Sequence, residues 1–127
     1  MGILGKIFTW WDGATIGTAI FSARNGVLMG SDDAGNKYYQ SKDGVRRWVM
    51  YTGSNDASRV SPDWHGWLHH THDGDPESYL PPARSWEHGA IGNLTGTNAA
   101  YRPQGALEQG GKRARATGDY EAWSPDA

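Results

Sequence analysis

This chain has too few aliphatic side chains to build a core of ordinary size. Leucine, isoleucine, valine and phenylalanine together number 17 among its 127 residues, a small share for a globular domain. The formal net charge is only -2, so charge repulsion is not what would keep the chain open. Seven tryptophans and six tyrosines supply bulky apolar surface instead. The composition predicts a small folded nucleus with flanking segments that it cannot bury.

The nucleus is expected between residues 26 and 73, where short apolar runs alternate with turn-forming residues. Three strands are predicted at 27–29, 37–40 and 46–51. The loop at 32–36 contains Asp, Gly and Asn, which tolerate a positive φ in a hairpin turn. The predicted fold class is small α+β, mainly β, with a three-stranded antiparallel meander and one short helix.

The one helix is predicted to begin at residues 61–63, Ser-Pro-Asp, and to end by Gly74. A capping hydroxyl, a proline at the first helical position and an early carboxylate are typical of a helix start. Trp64, Trp67 and Leu68 then fall on one helix face. We expect this face to pack on the sheet.

The third strand is apolar on both of its faces. Trp48 and Met50 face one side of the sheet, while Val49 and Tyr51 face the other. One helix covers only one face, so the pattern indicates that a partner covers the second face. We nevertheless expect Trp48, like the helix tryptophans, to belong to the protein's own core.

Both flanking segments are predicted to need a partner. Residues 1–25 are apolar and aromatic, which suits either a segment that packs on the protein's own sheet or one that docks on a partner protein or a membrane surface. The small core favours docking on a partner. Residues 74–127 hold only nine large apolar side chains, whose burial cannot offset the entropy of ordering 54 residues. We expect an extended, largely irregular C-terminal arm that is ordered on another protein. The predicted partner contacts are the widely spaced aromatic anchors Trp10, Trp11, Phe21, Trp86, Tyr101 and Trp123.

Catalytic chemistry finds little support in the sequence. Without cysteine there is no disulfide, thiolate metal site or cysteine nucleophile. His65 and His69 are spaced to share a helix face, with His88 as a third metal ligand, but Gly66 stands where a metalloprotease has its general base. A histidine metalloenzyme is therefore the less favoured alternative, and no catalytic, cofactor-binding or metal-binding residue is expected.

Nucleic acid is also disfavoured as a partner. Two basic residues, Arg46 and Arg47, stand beside the aromatic Trp48. Sheets on which RNA bases stack combine basic and aromatic side chains in this way. The chain is acidic overall, however, and its basic residues are scattered except for Lys112, Arg113 and Arg115. We expect the two arginines to form an exposed pair on the strand or to make ion pairs with carboxylates of a partner.

Six motifs occur in a fixed order along the chain. They are FTWWDGATIGT from Phe8, VLMGSDDAGNKYY from Val27, RRWVMY from Arg46, SPDWHGWLHH from Ser61, NLTGT from Asn93, and Tyr101-Arg-Pro. In combination they resemble the seventeen-kilodalton accessory subunit of respiratory NADH:ubiquinone oxidoreductase, complex I. The resemblance covers almost the whole chain. One departure is the stretch 71–76, Thr-His-Asp-Gly-Asp-Pro, where the family usually has Thr-Asp-x-Pro-Pro.

The resemblance implies a non-catalytic, supernumerary subunit that stabilises or helps assemble the peripheral arm of complex I, near the quinone-reducing module and the membrane junction. It implies no cofactor in this chain, because FMN and the iron–sulfur clusters belong to other subunits. The implied partners are core subunits of the arm and other accessory subunits, in a hetero-oligomer.

The same resemblance raises two further questions: where in the cell the protein lies, and whether it is the permanent subunit or a related assembly factor. The first motif lies close to residue 1, which favours a bacterial protein on the cytoplasmic face of the inner membrane over a matrix protein. A related assembly factor, bound only to intermediates, shares parts of the pattern. The uninterrupted run from Trp64 to His69 favours the permanent subunit.

Overall fold

The computed structural model describes residues 3–8, 13–116 and 118–125. Its α-helices are α1 (Ile3–Phe8), α2 (Ile16–Asn25), α3 (Pro62–Leu68) and α4 (Pro76–Tyr79). Its strands are β1 (Gly26–Ser31), β2 (Lys37–Ser41) and β3 (Arg47–Met50), and short 3-10 turns occupy Ala57–Arg59 and Leu107–Gln109. The predicted class, a small α+β fold around a three-stranded antiparallel sheet, is confirmed.

The sheet has the strand order β1-β2-β3, so β1 and β3 form its two edges. Gly35 adopts a φ of 84° in the β1–β2 hairpin loop, a conformation that costs glycine nothing. β1 carries a bulge between Leu28 and Gly30, whereas the register between β2 and β3 is continuous. The two edges of the sheet therefore differ in regularity.

The core lies on the face of the sheet that α3 covers. Tyr38 and Trp67 are fully buried, and Trp64 is 4% exposed. Trp64 stacks on Tyr38 with 4.2 Å between ring centroids, and Trp67 meets both rings edge-on. Stacked and edge-on aromatic pairs add to the free energy of burial. The prediction that the tryptophan face of the helix packs on the sheet is confirmed.

α3 begins at the predicted proline but without the predicted cap. Ser61 has the extended backbone of an N-cap residue, yet its side chain makes no capping hydrogen bond, so that prediction is wrong. At the other end, the backbone N–H of Thr71 donates to the carbonyl of Gly66 at 2.9 Å, and His70 has a φ of 57°. A left-handed residue followed by such a bond is a common helix ending.

α2 covers part of the second face, and the prediction of a single helix is therefore wrong. Thr15 caps α2, because its Oγ1 accepts from the N–H of Thr18 at 3.2 Å. Gly17 lies in the first turn of α2, where it does not interrupt the helix interior. The cover that the sequence analysis assigned to a partner comes in part from the chain itself.

The contacts beneath α2 form a small second layer. Trp48 Nε1 donates to Ser22 Oγ at 2.8 Å, and Ser22 Oγ in turn donates to Met50 Sδ at 3.6 Å. The ring of Phe21 lies 5.5 Å from that of Trp48, centroid to centroid, and Tyr39 stacks on Trp48 at 6.1 Å. Trp48 is thus half-buried by contacts with other residues of the same chain.

The chain divides into two compact units, Met1–Asn93 and Leu94–Ala127. Within the first, the N–H of Asn93 donates to Ser58 Oγ at 2.8 Å, so residues 74–93 cluster with the sheet. The described residues of the second unit form turns and one 3-10 turn, without a strand or α-helix. The division into segments 1–25, 26–73 and 74–127 stays a prediction. Among the described residues, no helix has the length and apolar character needed to cross a membrane.

Candidate partner-binding surfaces

A buried polar cluster fixes the loop between β1 and β2. Asn36 is fully buried, and its N–H and Nδ2 donate to the two carboxylate oxygens of Asp32, each at 3.0 Å. Nδ2 also donates to the carbonyl of Arg59, while Oδ1 accepts from the N–H of Thr52. Tyr38 OH completes the cluster by donating to Asp32 Oδ2 at 2.7 Å. The cluster ties the hairpin loop to the two segments beside it.

The pKa values in this cluster support a structural role. Burial raises the pKa of Asp32, but hydrogen bonds from Tyr38 and Asn36 outweigh burial and hold the pKa below its ordinary value of 3.8. Burial and the hydrogen bond to Asp32 raise the pKa of Tyr38 above its ordinary value of 10.0. An ionised Asp32 and a protonated Tyr38 are therefore held over a wide pH range, which suits a fixed hydrogen bond rather than proton transfer.

Arg47 is also used within the fold, and the prediction that both arginines are exposed or bound to a partner is wrong for it. Its side chain is 4% exposed. Nη1 donates to the carbonyls of Trp67 at 2.7 Å and His72 at 3.0 Å, and Nη2 donates to Asp73 at 3.0 Å. The guanidinium carbon lies 4.8 Å from the Trp67 ring centroid, a cation–π distance. Arg47 thus secures the end of α3.

The histidines near the end of α3 make local contacts. The exposed rings of His65 and His69 stack with 4.0 Å between centroids, and His69 Nδ1 lies 2.9 Å from the carbonyl of His65. His72 Nδ1 lies 2.9 Å from the carbonyl of Gly74. In residues 3–8, 13–116 and 118–125, no three His, Cys, Asp or Glu side chains are grouped so as to hold a metal ion.

An open groove of about 540 Å³ lies at the edge of the sheet formed by β3. Thr18 and Phe21 of α2 line one side of the groove, His70 lines the other, and residues 45–49 line it between them. Val45, at the entry to β3, is 67% exposed. This groove is not visible in the sequence pattern, because it forms only where α2 and the end of α3 meet at one edge of the sheet.

The predicted aromatic anchors are exposed where the structure describes them. Phe21 is 43% exposed, Trp86 66%, Tyr101 88% and Trp123 81%; Trp10 and Trp11 lie outside the described residues. The structure does not bring these side chains into one cluster, and their role as partner contacts stays a prediction. The same segments contain further exposed apolar side chains that were not predicted as anchors, among them Ile3, Leu4, Phe8, Ile91, Leu107 and Tyr120.

The described residues of the second unit form three short-range ion pairs. In one of these pairs, Arg113 donates hydrogen bonds to the carboxylate of Asp119 and holds its pKa below the ordinary value of 3.8. Each pair joins side chains six residues apart in the chain, so each closes a small loop. The pairs are Arg102–Glu108, Arg113–Asp119 and Arg115–Glu121.

Comparison with known proteins connects these features to a family. The family model described as NADH ubiquinone oxidoreductase subunit NDUFA12 matches residues 26–125. The match begins where β1 begins and includes the irregular second unit. The matched residues thus include the sheet, α3 and the exposed C-terminal residues.

Curated relatives agree with the family model. NADH dehydrogenase (ubiquinone) 1 alpha subcomplex subunit 12 of Dictyostelium discoideum is 39% identical over 87 residues, covering 65% of this chain and 63% of the relative. Its Bos taurus counterpart is 42% identical over 94 residues, covering 63% and 64%. The uncharacterized protein RP725 of Rickettsia prowazekii is 35% identical over 48 residues, covering 33% and 48%.

The matches thus span just under two thirds of the length of the first two relatives. The family model, in contrast, matches well over half of this chain and extends over most of each compact unit. The resemblance drawn from the six motifs is confirmed. This chain belongs to the NADH ubiquinone oxidoreductase subunit NDUFA12 family.

Proposed function

We propose that this chain is a non-catalytic accessory subunit of respiratory complex I, which stabilises or helps assemble the peripheral arm near the quinone-reducing module. The observation that carries the proposal is the aromatic exposure of the second unit, where Tyr101, Tyr120 and Trp123 are each more than 80% exposed. Burying a large apolar side chain stabilises by roughly 2–3 kcal/mol, so these residues are suited to bind a protein surface.

Family membership supports the identity of the partner. The Dictyostelium and Bos relatives are named as subunits of an NADH dehydrogenase (ubiquinone). We propose that this chain binds core subunits of the quinone-reducing module, together with other accessory subunits. Trp10, Trp11, Phe21, Trp86, Tyr101 and Trp123 are the proposed contacts.

The use of the polar clusters supports a structural rather than a catalytic role. The carboxylate of Asp32 is bonded to Asn36 and Tyr38, and the guanidinium of Arg47 is bonded to carbonyls at the end of α3. Each cluster thus connects elements of the fold. We propose that FMN and the iron–sulfur clusters are bound by other subunits of the complex.

We further propose that the chain is a peripheral protein on the cytoplasmic face of the bacterial inner membrane, or on the matrix side if it is mitochondrial. The Rickettsia relative supports a bacterial form. The exposed aliphatic side chains of α1, among them Ile3 and Leu4 at more than 70%, are suited to a partner protein or to the membrane surface.

Native-gel fractionation of membranes tests the role directly. We expect the chain to co-migrate in a fixed ratio with the band that oxidises NADH. Detection only on incomplete assemblies would instead identify an assembly factor. A chain that migrates alone and binds a divalent ion through His65 or His69 would support the metalloenzyme alternative.

Trp123→Ala tests the aromatic anchor. Truncating an aromatic hot spot costs about 2 kcal/mol or more, which corresponds to a loss of affinity of roughly thirtyfold or more. When expression of the chain is limiting, its amount in the NADH-oxidising band should fall accordingly. Trp123→Phe is the matched control and should retain most of the binding. The near-UV circular dichroism from the stacked Tyr38 and Trp64 should not change, because both residues belong to the other compact unit. An unchanged yield for Trp123→Ala would contradict the role of this anchor.

A further inference from the structure

We infer that the open edge of β3 binds an extended, acidic segment of a partner subunit, which adds to the sheet as a fourth strand. The inference rests on the proposed function, since the partner would be another subunit of the same complex. Phe21 is one of the proposed aromatic anchors and also lines this groove. The inference goes beyond the anchors because it assigns the backbone conformation and the charge of the segment that binds there.

β3 is an edge strand, and its outward backbone groups are free to bind an added strand. Ser41 N donates to the carbonyl of Arg46 at 2.8 Å, and backbone pairing alternates along an antiparallel ladder. Trp48 therefore directs its N–H and C=O towards β2, in register with Tyr39. Arg47 and Val49 direct theirs away from the sheet, where no described residue pairs with them. Such a row of unpaired groups is a template for strand addition.

The other edge of the sheet is less suited to a fourth strand. β1 contains a bulge between Leu28 and Gly30, and bulges disturb the regular spacing that an added strand needs. At its start β1 lies against α2, since a Cβ on Gly26 would be 2.6 Å from the carbonyl oxygen of Ser22. The register of β3, in contrast, is continuous from Arg47 to Met50.

The second observation is the shape of the groove beside β3. Phe21 and Trp48 provide an apolar side, with 5.5 Å between their ring centroids, and Phe21 remains 43% exposed. His70, which is exposed, lines the opposite side. Side chains of an added strand point alternately to the two faces of the sheet, so one set would contact the aromatic side and the other set the His70 side.

The third observation is charge complementarity. Arg46 is exposed in the groove, and within the described part of the chain its guanidinium makes no close ion pair or hydrogen bond, although it attracts the carboxylate of Asp43 at longer range. Asp43 in the same turn is already engaged, because its carboxylate accepts from Ser41 Oγ and from the N–H of Val45. With His70 as a second donor on the opposite side, the groove favours carboxylates on its occupant.

Site-specific photo-cross-linking measures the spacing of the occupant. Val45 and, separately, Tyr51 are replaced with p-benzoyl-L-phenylalanine in the full chain assembled in membranes, and the adducts are sequenced by mass spectrometry. The two positions are six residues apart, about 20 Å at 3.3 Å per residue of strand. An extended occupant should carry the two adducts about six residues apart, whereas a helix at 1.5 Å per residue would carry them about 13 residues apart.

A charge reversal tests the chemistry of the occupant. Arg46→Glu should lower the yield of the Val45 adduct about fivefold, because attraction to a carboxylate becomes repulsion. Lys42→Glu is the matched control, since Lys42 is exposed in the same turn but does not line the groove. The yield of the Val45 adduct should not change in this variant. An unchanged yield in Arg46→Glu overturns the acidic occupant.

Fractionation on native gels separates this inference from the proposed function. Adducts with six-residue spacing on an acidic segment of a subunit in the NADH-oxidising band support both. A chain that co-migrates with that band but forms adducts with lipid, with a second copy of itself or with helical spacing overturns the strand inference alone. Six-residue spacing on an acidic segment of a protein outside the band supports the inference and overturns the proposed function.

Discussion

Replacing Gly30 with alanine should destabilise the first compact unit, because the added carbon has no room. A Cβ at this position would lie 2.7 Å from Cζ2 and 2.8 Å from Cη2 of Trp64, well inside the usual carbon–carbon contact distance of about 3.5–4.0 Å. The Trp64 ring cannot move aside freely, because it stacks on Tyr38 and meets Trp67 edge-on. Overpacking of a core typically costs about 1–3 kcal/mol.

Thermal unfolding of the chain, followed by near-UV circular dichroism, measures this cost. In a domain of this size about 1 kcal/mol lowers the melting temperature by roughly 4–8 °C, so we expect a decrease of roughly 4–24 °C. Gly89→Ala is the matched control, because nothing lies within 4 Å of its Cβ position, and it should leave the melting temperature unchanged or slightly raised. An unchanged melting temperature for Gly30→Ala, or an equal decrease in both variants, would refute the reasoning.

Two further predictions concern the polar contacts of the same unit. The pKa of Asp32 is lower in the fold than its ordinary value of 3.8. Ionised Asp32 therefore stabilises the fold fully above pH 3.8, and this stabilisation is lost as the pH falls through the folded pKa. Urea unfolding should show this loss of stability in the natural chain and a smaller loss in Asp32→Asn. Arg47→Ala should cost about 2–3 kcal/mol, because the carbonyls of Trp67 and His72 lose their donor. Asp73→Ala should cost less than about 1 kcal/mol, since the side chain of Asp73 is 94% exposed. If denaturant unfolding showed the same loss of stability in Arg47→Ala and Asp73→Ala, this account would be wrong.

Local sequence chemistry made the sheet and α3 predictable. The loop before β2 places Asp32, Gly35 and Asn36 within five residues, and each satisfies a local requirement of the turn. The spacing of Trp64 and Trp67 likewise defines a helix face without reference to the rest of the chain. Predictions of this kind depend on contacts between residues that are close in sequence.

Contacts between distant residues defeated the remaining predictions. Ser22 lies 26 residues from Trp48, to which it is bonded, and no pattern around Ser22 indicates that partner. Arg47 lies 20 residues from Trp67, whose carbonyl accepts from it, so its burial beside an exposed Arg46 was not visible in the sequence. The exposure of Trp86, Tyr101 and Trp123 follows from the few apolar side chains of residues 74–127, whereas their role as partner contacts stays a prediction.

The three ion pairs seen among the described residues of the second unit give the arm local shape before any partner is bound. A chain already bent into small loops has fewer conformations to lose when it docks. Exposed ion pairs contribute only about 0–1 kcal/mol each and are screened by salt. Attachment of the arm should therefore weaken as ionic strength rises, even where its aromatic side chains meet an entirely apolar surface.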